Sequence, residues 1–327
     1  MGSLQTKKFA PRRGMRGGHV QTIAGFFLRR RIHVPETEER WVEVESGVKL
    51  LCHCHWQKDR ASALTVIILH GLEGSHESQY MVGIANKGFA LGMNVVRMNQ
   101  RNCGGAECET PTLYHSGRSS DVAAVVKHFL EHDKLSRFVL AGFSMGGNIV
   151  LKLAGEWGVH GPKEFRAVAA VCPAVDLAPS ADALHLPANR LYEYYFMWKL
   201  RRRLRAKARQ YPDKFDATRL RGVWTLRQFD DRITAFYSGF DGASDYYARA
   251  AASNVVDRIA VPTFILHAAN DPFIRILPET RRKILANPNI TFLETEDGGH
   301  CSFLANPDGD DGYWAETQVL GFLRMFQ

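Results

Sequence analysis

The chain has 327 residues, 45% of them hydrophobic and 23% charged, and a formal net charge of +8. That length holds one large α/β domain with an inserted subdomain, or two ordinary domains, and the composition is that of a soluble globular protein. No stretch approaches the ~18 uninterrupted apolar residues that a spanning helix needs. The positive charge suits anionic ligands or surfaces, but no nucleic-acid-binding motif accompanies it, so nucleic acid is not an expected partner.

The first thirty residues carry Lys7, Lys8, Arg12, Arg13 and Arg16 without an apolar segment behind them, so the expected compartment is cytoplasmic rather than secretory. Gly2 and Thr6 fit the loose myristoylation pattern, and fit chance equally well. Residues 1–38 read as a segment packed on the body. Its Gly18-His19 stretch suits either a recognition element or a strap.

From Arg40 onward strand-like and helix-like patterns alternate. Residues 41–44 and 48–51 alternate as half-exposed antiparallel strands do, with Glu45-Ser46-Gly47 as the turn. Short apolar runs follow at 64–69, 94–98, 137–140, 167–171 and 263–266, the pattern of strands buried on both faces. Between them lie helical-length segments at 78–91, 119–132 and 145–156. Strand, helix, strand in repetition predicts a mostly parallel sheet with helices on both faces.

Cys52-His53-Cys54-His55 has the residue types of a metal cluster. In a strand, however, its histidines share one face and its cysteines the other, so no four-ligand site closes. The six cysteines form no CxxC pair, and reduced thiols are expected.

The rhythm lapses over residues 176–245, rich in aromatics (Tyr192, Tyr194, Tyr195, Phe196, Trp198) and followed by seven basic residues in 199–209. This reads as a helical lid insertion dividing the core into 39–175 and 246–327. Its basic helix is expected to turn a charged side to water, with weak contact to an anionic membrane surface as the second reading. A strand at 289–293 and a closing helix over 313–326 end the chain.

Gly142-Phe143-Ser144-Met145-Gly146 is a G-x-S-x-G motif. Such an elbow holds its serine in a strained turn between strand and helix, with small residues at ±2 so that neighbouring backbone can pack close. The apolar run before it and the helical pattern after it supply that context, making Ser144 the candidate nucleophile. The chain order Ser, acid, His leads to His300, in Asp297-Gly298-Gly299-His300 after the last strand. It leads also to Asp271, at the C-terminal tip of the strand beginning at Thr263, where catalytic groups of open α/β sheets collect. Asp297 is the rival acid. The tetrahedral intermediate needs donors for its oxyanion. The backbone N–H groups of Met145 and of Leu72, in His70-Gly71-Leu72-Glu73-Gly74, are the candidates. Phe143, Tyr195 and Phe196 are the candidate substrate-contacting side chains.

The chain resembles the YheT-like branch of the α/β-hydrolases. The matching pieces are Gly18-His19-Val20-Gln21-Thr22, His70-Gly71-Leu72-Glu73-Gly74-Ser75, Tyr114-His115-Ser116-Gly117 and Gly142 to Asn148. Phe229-Asp230-Asp231, Asp245-Tyr246-Tyr247, Asn270-Asp271-Pro272-Phe273 and Gly298-Gly299-His300 match as well. The resemblance implies an esterase acting on carboxylic esters, without metal or organic cofactor, through Ser144, Asp271 and His300. One departure is Asn102, where the family carries glycine, at a turn that asparagine's tolerance of left-handed backbone preserves. The expected partner is a small-molecule or lipid ester. Acyl transfer or thioester cleavage by the same triad, and a binding protein with a relic site, are the alternatives.

Overall fold

The computed structural model describes residues 8–327 except 29, 31 and 33, so the Gly2–Thr6 myristoylation pattern lies outside the described residues. Eight strands form one sheet in the order β1-β2-β4-β3-β5-β6-β7-β8. β1 (Glu38–Glu45) and β2 (Val48–His55) are an antiparallel hairpin turning at Gly47, whose φ of 72° suits a residue without Cβ. β2 pairs antiparallel with β4 (Asn94–Met98). β3 (Thr65–Leu69), β5 (Phe138–Phe143), β6 (Phe165–Val171), β7 (Thr263–Ala268) and β8 (Ile290–Thr295) continue the sheet in parallel. Every residue of β3, β4, β5 and β7 is buried, as continuous apolar runs between two helical layers require.

One core layer packs α3 (Ser119–His132), α4 (Met145–Trp157) and α10 (Pro278–Ala286) on the sheet; the opposite layer packs α2 (Gln79–Ala90) and α11 (Trp314–Leu323). In β2, Cys52 and Cys54 join the first of these cores. On the other face His53 stacks on His76 at 3.6 Å and His55 Nε2 accepts from Arg97 Nε at 3.1 Å. The alternation separates the cysteines from the histidines. Asn102 stands at φ 62°, fully buried, its Nδ2 donating to Thr112 O at 2.6 Å.

Between β6 and β7 the chain leaves the sheet for α5 (Leu177–Leu184), α6 (Arg190–Gln210), α7 (Leu226–Phe229), a π-helical turn Asp230–Ala235, α8 (Phe236–Ser238) and α9 (Ala243–Ala250). These helices share a third apolar cluster that includes Leu177, Leu184, Met197, Leu200, Leu204 and Phe229. The basic stretch of α6 differs from the solvated face expected of it. Lys199, Arg203 and Lys207 follow one another at i, i+4, so they lie on one side of the helix. That side faces the body. Lys199 Nζ donates to Glu73 O at 2.8 Å, Arg203 pairs with the Glu73 carboxylate, and Lys207 Nζ donates to Thr110 O at 2.5 Å and to Glu107 O. Burial pulls the Lys207 ammonium down to about 8. Arg202, Arg205 and Arg209 remain exposed. Among the described residues no helix is long and apolar enough to cross a membrane.

Candidate active site

β5 ends at Phe143 and α4 begins at Met145, leaving Ser144 alone at the turn with φ 55° and ψ −121°. Such a conformation costs a residue with a Cβ about 1–3 kcal/mol and survives only where the surroundings over-determine it. Here the ±2 glycines do so. A Cβ on Gly142 would lie 2.3 Å from Gly146 O, and one on Gly146 would lie 2.6 Å from the carbonyls of Leu69 and His70. Strand and helix therefore approach closely enough to lift the serine hydroxyl above the sheet.

Ser144 Oγ lies 2.9 Å from His300 Nε2, and His300 Nδ1 lies 2.8 Å from Asp271 Oδ2. With the proton on Nδ1, His300 donates to Asp271 and accepts from the serine hydroxyl. Asp271 Oδ1 accepts from the N–H groups of Phe273 (3.1 Å) and Ile274 (2.9 Å), so both carboxylate oxygens are occupied. Burial works against a charge on Asp271, but His300 and the Ile274 N–H outweigh it and hold the carboxyl below its ordinary range. Burial likewise opposes a charge on His300. The adjoining Cys301 sulfur and the Asp271 carboxylate outweigh that and raise the imidazole above its ordinary range. Asp297 does not touch the imidazole. Its oxygens accept from Gly17 N (2.9 Å), Asn270 Nδ2 (2.7 Å) and Gly298 N (2.9 Å), tying the N-terminal segment to the loop that carries His300.

The loop after β3 packs directly on the nucleophile: a Cβ on Gly71 would stand 3.0 Å from Ser144 Cβ. Its N–H groups divide clearly. Gly71 donates to Tyr80 OH (2.9 Å), Glu73 to Tyr114 OH (3.2 Å) and Gly74 to Gly71 O (3.1 Å). The N–H groups of Leu72 and Met145 have no acceptor among the described residues. Two unpaired donors beside a serine are what a developing oxyanion requires.

The loop is held from outside by Glu73, a residue at φ 56°. Its carboxylate accepts from Tyr114 OH (2.7 Å) and from Arg203 Nε (2.8 Å) and Nη2 (3.0 Å). The histidine loop has its own support in α1 (Gly18–Phe27). Thr22 Oγ1 accepts from His300 N at 2.8 Å, and the buried Gln21 exchanges hydrogen bonds with the backbone of Leu304. The stretch around Gly18-His19 is thus a strap, and it also reaches the cavity, where His19 stacks on Tyr192. Sequence reasoning assigned no role to Thr22, Gln21, Glu73 or Arg203. The segments Gly18 to Thr22 and His70 to Ser75, singled out by resemblance, were the available signal for the first three.

Two cavities meet at Ser144, and both are lined by Leu72, Phe196 and Phe273. One, about 100 Å³, lies beneath the insertion among Leu113, Leu177, Leu184 and Leu200. The other, about 1100 Å³, opens between α1 and the first half of α6 and includes Tyr195, Tyr192 and His300. Phe143 lines neither. It is fully buried in the sheet core and stacked on Tyr80 at 4.2 Å, because a residue one step before the elbow still points with its strand. The expectation that it contacts substrate is corrected accordingly.

The model of the α/β hydrolase fold family matches residues 65–307. "Putative esterase YheT" of Escherichia coli is 28% identical over 328 residues, covering 98% of this chain and 94% of that one. Mouse "Phospholipase ABHD3" is 28% identical over 260 residues, and the "Monoacylglycerol lipase" of Saccharomyces cerevisiae 28% over 270. Those matches take in 78% and 80% of this chain but only 61% and 59% of the two relatives. Among solved structures, the Pyrococcus furiosus esterase Pf2001 superposes with a TM-score of 0.57 at 18% identity, over 89% of this chain and 92% of that one, a likeness of fold alone. An eight-stranded sheet, a serine elbow at the tip of its central strand and a family match over most of the length agree: the chain belongs to the α/β-hydrolase fold family, in its YheT-like branch.

Proposed function

We propose that the protein is a serine esterase that cleaves carboxylic esters through an acyl-enzyme. The observation that carries this reading is the continuous Ser144–His300–Asp271 relay, at 2.9 and 2.8 Å, facing two unpaired N–H groups. Ser144 Oγ attacks the ester carbonyl while His300 Nε2 takes its proton. Asp271 fixes the Nδ1–H tautomer and stabilises the imidazolium. The N–H groups of Leu72 and Met145 donate to the oxyanion. His300 then protonates the leaving alcohol, and a water activated by the same imidazole releases the acid.

The substrate class follows from the walls. The larger cavity is bounded by aromatic and aliphatic side chains, and Ile23, Phe26, Phe27 and Leu191 at its mouth are substantially exposed. That favours an ester with a long apolar part, a lipid ester among them, and the phospholipase and monoacylglycerol lipase names of two relatives support the same class. In this reading the segment from α5 to α9 acts as the lid and Tyr195 and Phe196 contact the acyl chain. A fluorophosphonate probe tests the assignment: the native protein should be labelled on Ser144, and Ser144→Ala should be neither labelled nor active while melting at the same temperature. Turnover by Ser144→Ala would end it.

A further inference from the structure

A second group of side chains reaches the same imidazole. Cys172 follows the last residue of β6, and Cys301 follows His300; they are 129 positions apart, and each stands at a left-handed φ, 43° and 61°. Those conformations turn the sulfurs across each other's backbone. Cys172 Sγ lies 3.6 Å from Gly299 O and Cys301 Sγ lies 3.5 Å from Val171 O. Cys301 Sγ is 3.9 Å from His300 Nε2, and ligand atoms of Cys172, His300 and Cys301 all lie within 4.8 Å of one another.

We propose that Cys172, Cys301 and His300 form a site for a soft divalent cation of the zinc type, and that its occupation withdraws His300 from Ser144 and reversibly silences the enzyme. The silencing half rests on the esterase reading above; the binding half does not. Tetrahedral zinc with bonds of ~2.0–2.3 Å has ligand-to-ligand edges of roughly 3.5–3.8 Å, so this trio closes on an ion with side-chain shifts of about 1 Å or less. Two sulfurs and one imidazole select zinc or cadmium over magnesium or calcium. The outer support is already built, because His300 Nδ1 is held by Asp271 at 2.8 Å, and a carboxylate behind the imidazole is the arrangement that aims Nε2 at a metal. Ser144 Oγ, 2.9 Å from His300 Nε2, stands beside the trio. His300 and Cys301 line the larger cavity, which gives the ion its path. A second trio, Cys172, His267 and Asp271, is as compact but wholly buried, and its carboxylate is already engaged by His300 and two backbone N–H groups. Binding is not a redox step: up to two thiol protons, and the Nε2 proton wherever His300 carries one, pass to solvent as two sulfur–metal bonds and one nitrogen–metal bond form.

The exposed Cys108 is first replaced by serine so that no outlying thiol competes. Titrating Ser144→Ala in that background with cadmium chloride should give the ultraviolet thiolate-to-cadmium band, saturating at one equivalent. Cys301→Ser or Cys172→Ala should remove about half of it. On the active protein zinc chloride should inhibit, EDTA should restore activity, and either cysteine substitution should raise the half-inhibiting zinc concentration at least tenfold, whatever its basal rate. A missing band, or one indifferent to both substitutions, overturns the site. A band with undiminished ester hydrolysis in zinc overturns the silencing. A band in a protein that hydrolyses no ester supports the site and instead defeats the esterase reading.

Discussion

Arg203→Met should be among the most damaging single changes outside the triad. Arg203 grips Glu73 through two hydrogen bonds of 2.8 and 3.0 Å, with side-chain exposures of only 16% for the arginine and 2% for the glutamate. Removing one partner of such a pair leaves the other buried and uncompensated, at a cost of about 3–5 kcal/mol. With an unfolding entropy of about 2.1 cal/mol/K per residue, the whole chain carries about 0.7 kcal/mol/K, and the melting temperature should fall by about 4–7 °C. The same change frees the loop that presents the Leu72 N–H. Deleting an oxyanion donor outright costs roughly 10²–10³ in kcat; loosening one should cost less, about tenfold or more, with KM little changed. The assay pairs thermal melts with kcat and KM on a short, soluble ester for Arg203→Met, Glu73→Met and the double variant. The double variant should recover most of the lost stability, because no orphan charge remains, but not the lost kcat. Additive stabilities across the cycle, or a single variant with native melting and native kcat, would refute the argument.

The remaining expectations are shorter. Asp271→Asn should lower kcat by roughly 10³–10⁴ through loss of the correct tautomer, while Asp297→Asn, which removes only loop contacts, should cost far less in steady-state kinetics. Since His300 must be neutral to act and its surroundings raise it above the ordinary 6.5, kcat/KM should climb with pH through a limb lying above that value, and Cys301→Ser should move the limb down. Across a series of esters of increasing acyl length, kcat/KM should rise at first, each buried CH₂ contributing about 0.8 kcal/mol, and fall once the cavity is full. Tyr195→Ala and Phe196→Ala should shift that optimum with the shortest ester changed only a few-fold; three superimposable profiles would remove the insertion from substrate selection.

Much of this architecture was legible in the sequence because its signals are local. A strand buried on both faces announces itself as an apolar run wherever its partners lie, and β3, β4, β5 and β7 did so. The elbow is a five-residue steric requirement, and the chain order of the fold led to the histidine and aspartate that lie in hydrogen-bond contact beside it. What was hidden is pairwise and distant. Nothing near Arg203 indicates that it meets a carboxylate 130 positions earlier, so seven basic residues read as a solvated face when three of them are tied to the body. Thr22 and His300 are separated by 278 positions, and the contact depends on Gly299, where a Cβ would lie 2.5 Å from Gly18 O and 2.8 Å from Thr22 Oγ1. Phe143 was misplaced for a different reason: lying beside the nucleophile in sequence does not put a side chain on the nucleophile's side of the sheet.

These distant contacts give the site a division of labour. Ser144 is held by its immediate surroundings: the glycines two residues to either side, and its N–H donating to Val171 O at 2.9 Å. The loop after β3 and the histidine loop are each braced by a segment outside the sheet: α6, from Lys199 onward, holds the first through Lys199 and Arg203, and α1 holds the second through Thr22. The turns of α6 before Lys199 are attached differently. They meet α1 through rings, Tyr195 against Phe26 at 5.4 Å and Tyr192 against His19, the latter with one exposed hydrogen bond of 3.0 Å between His19 Nδ1 and Tyr192 OH, and these contacts form the mouth of the larger cavity. Ring contacts slide at little cost, whereas a buried ion pair must be broken whole. The same helix is therefore fixed beside the loop that carries the Leu72 N–H and adjustable at the mouth of the larger cavity.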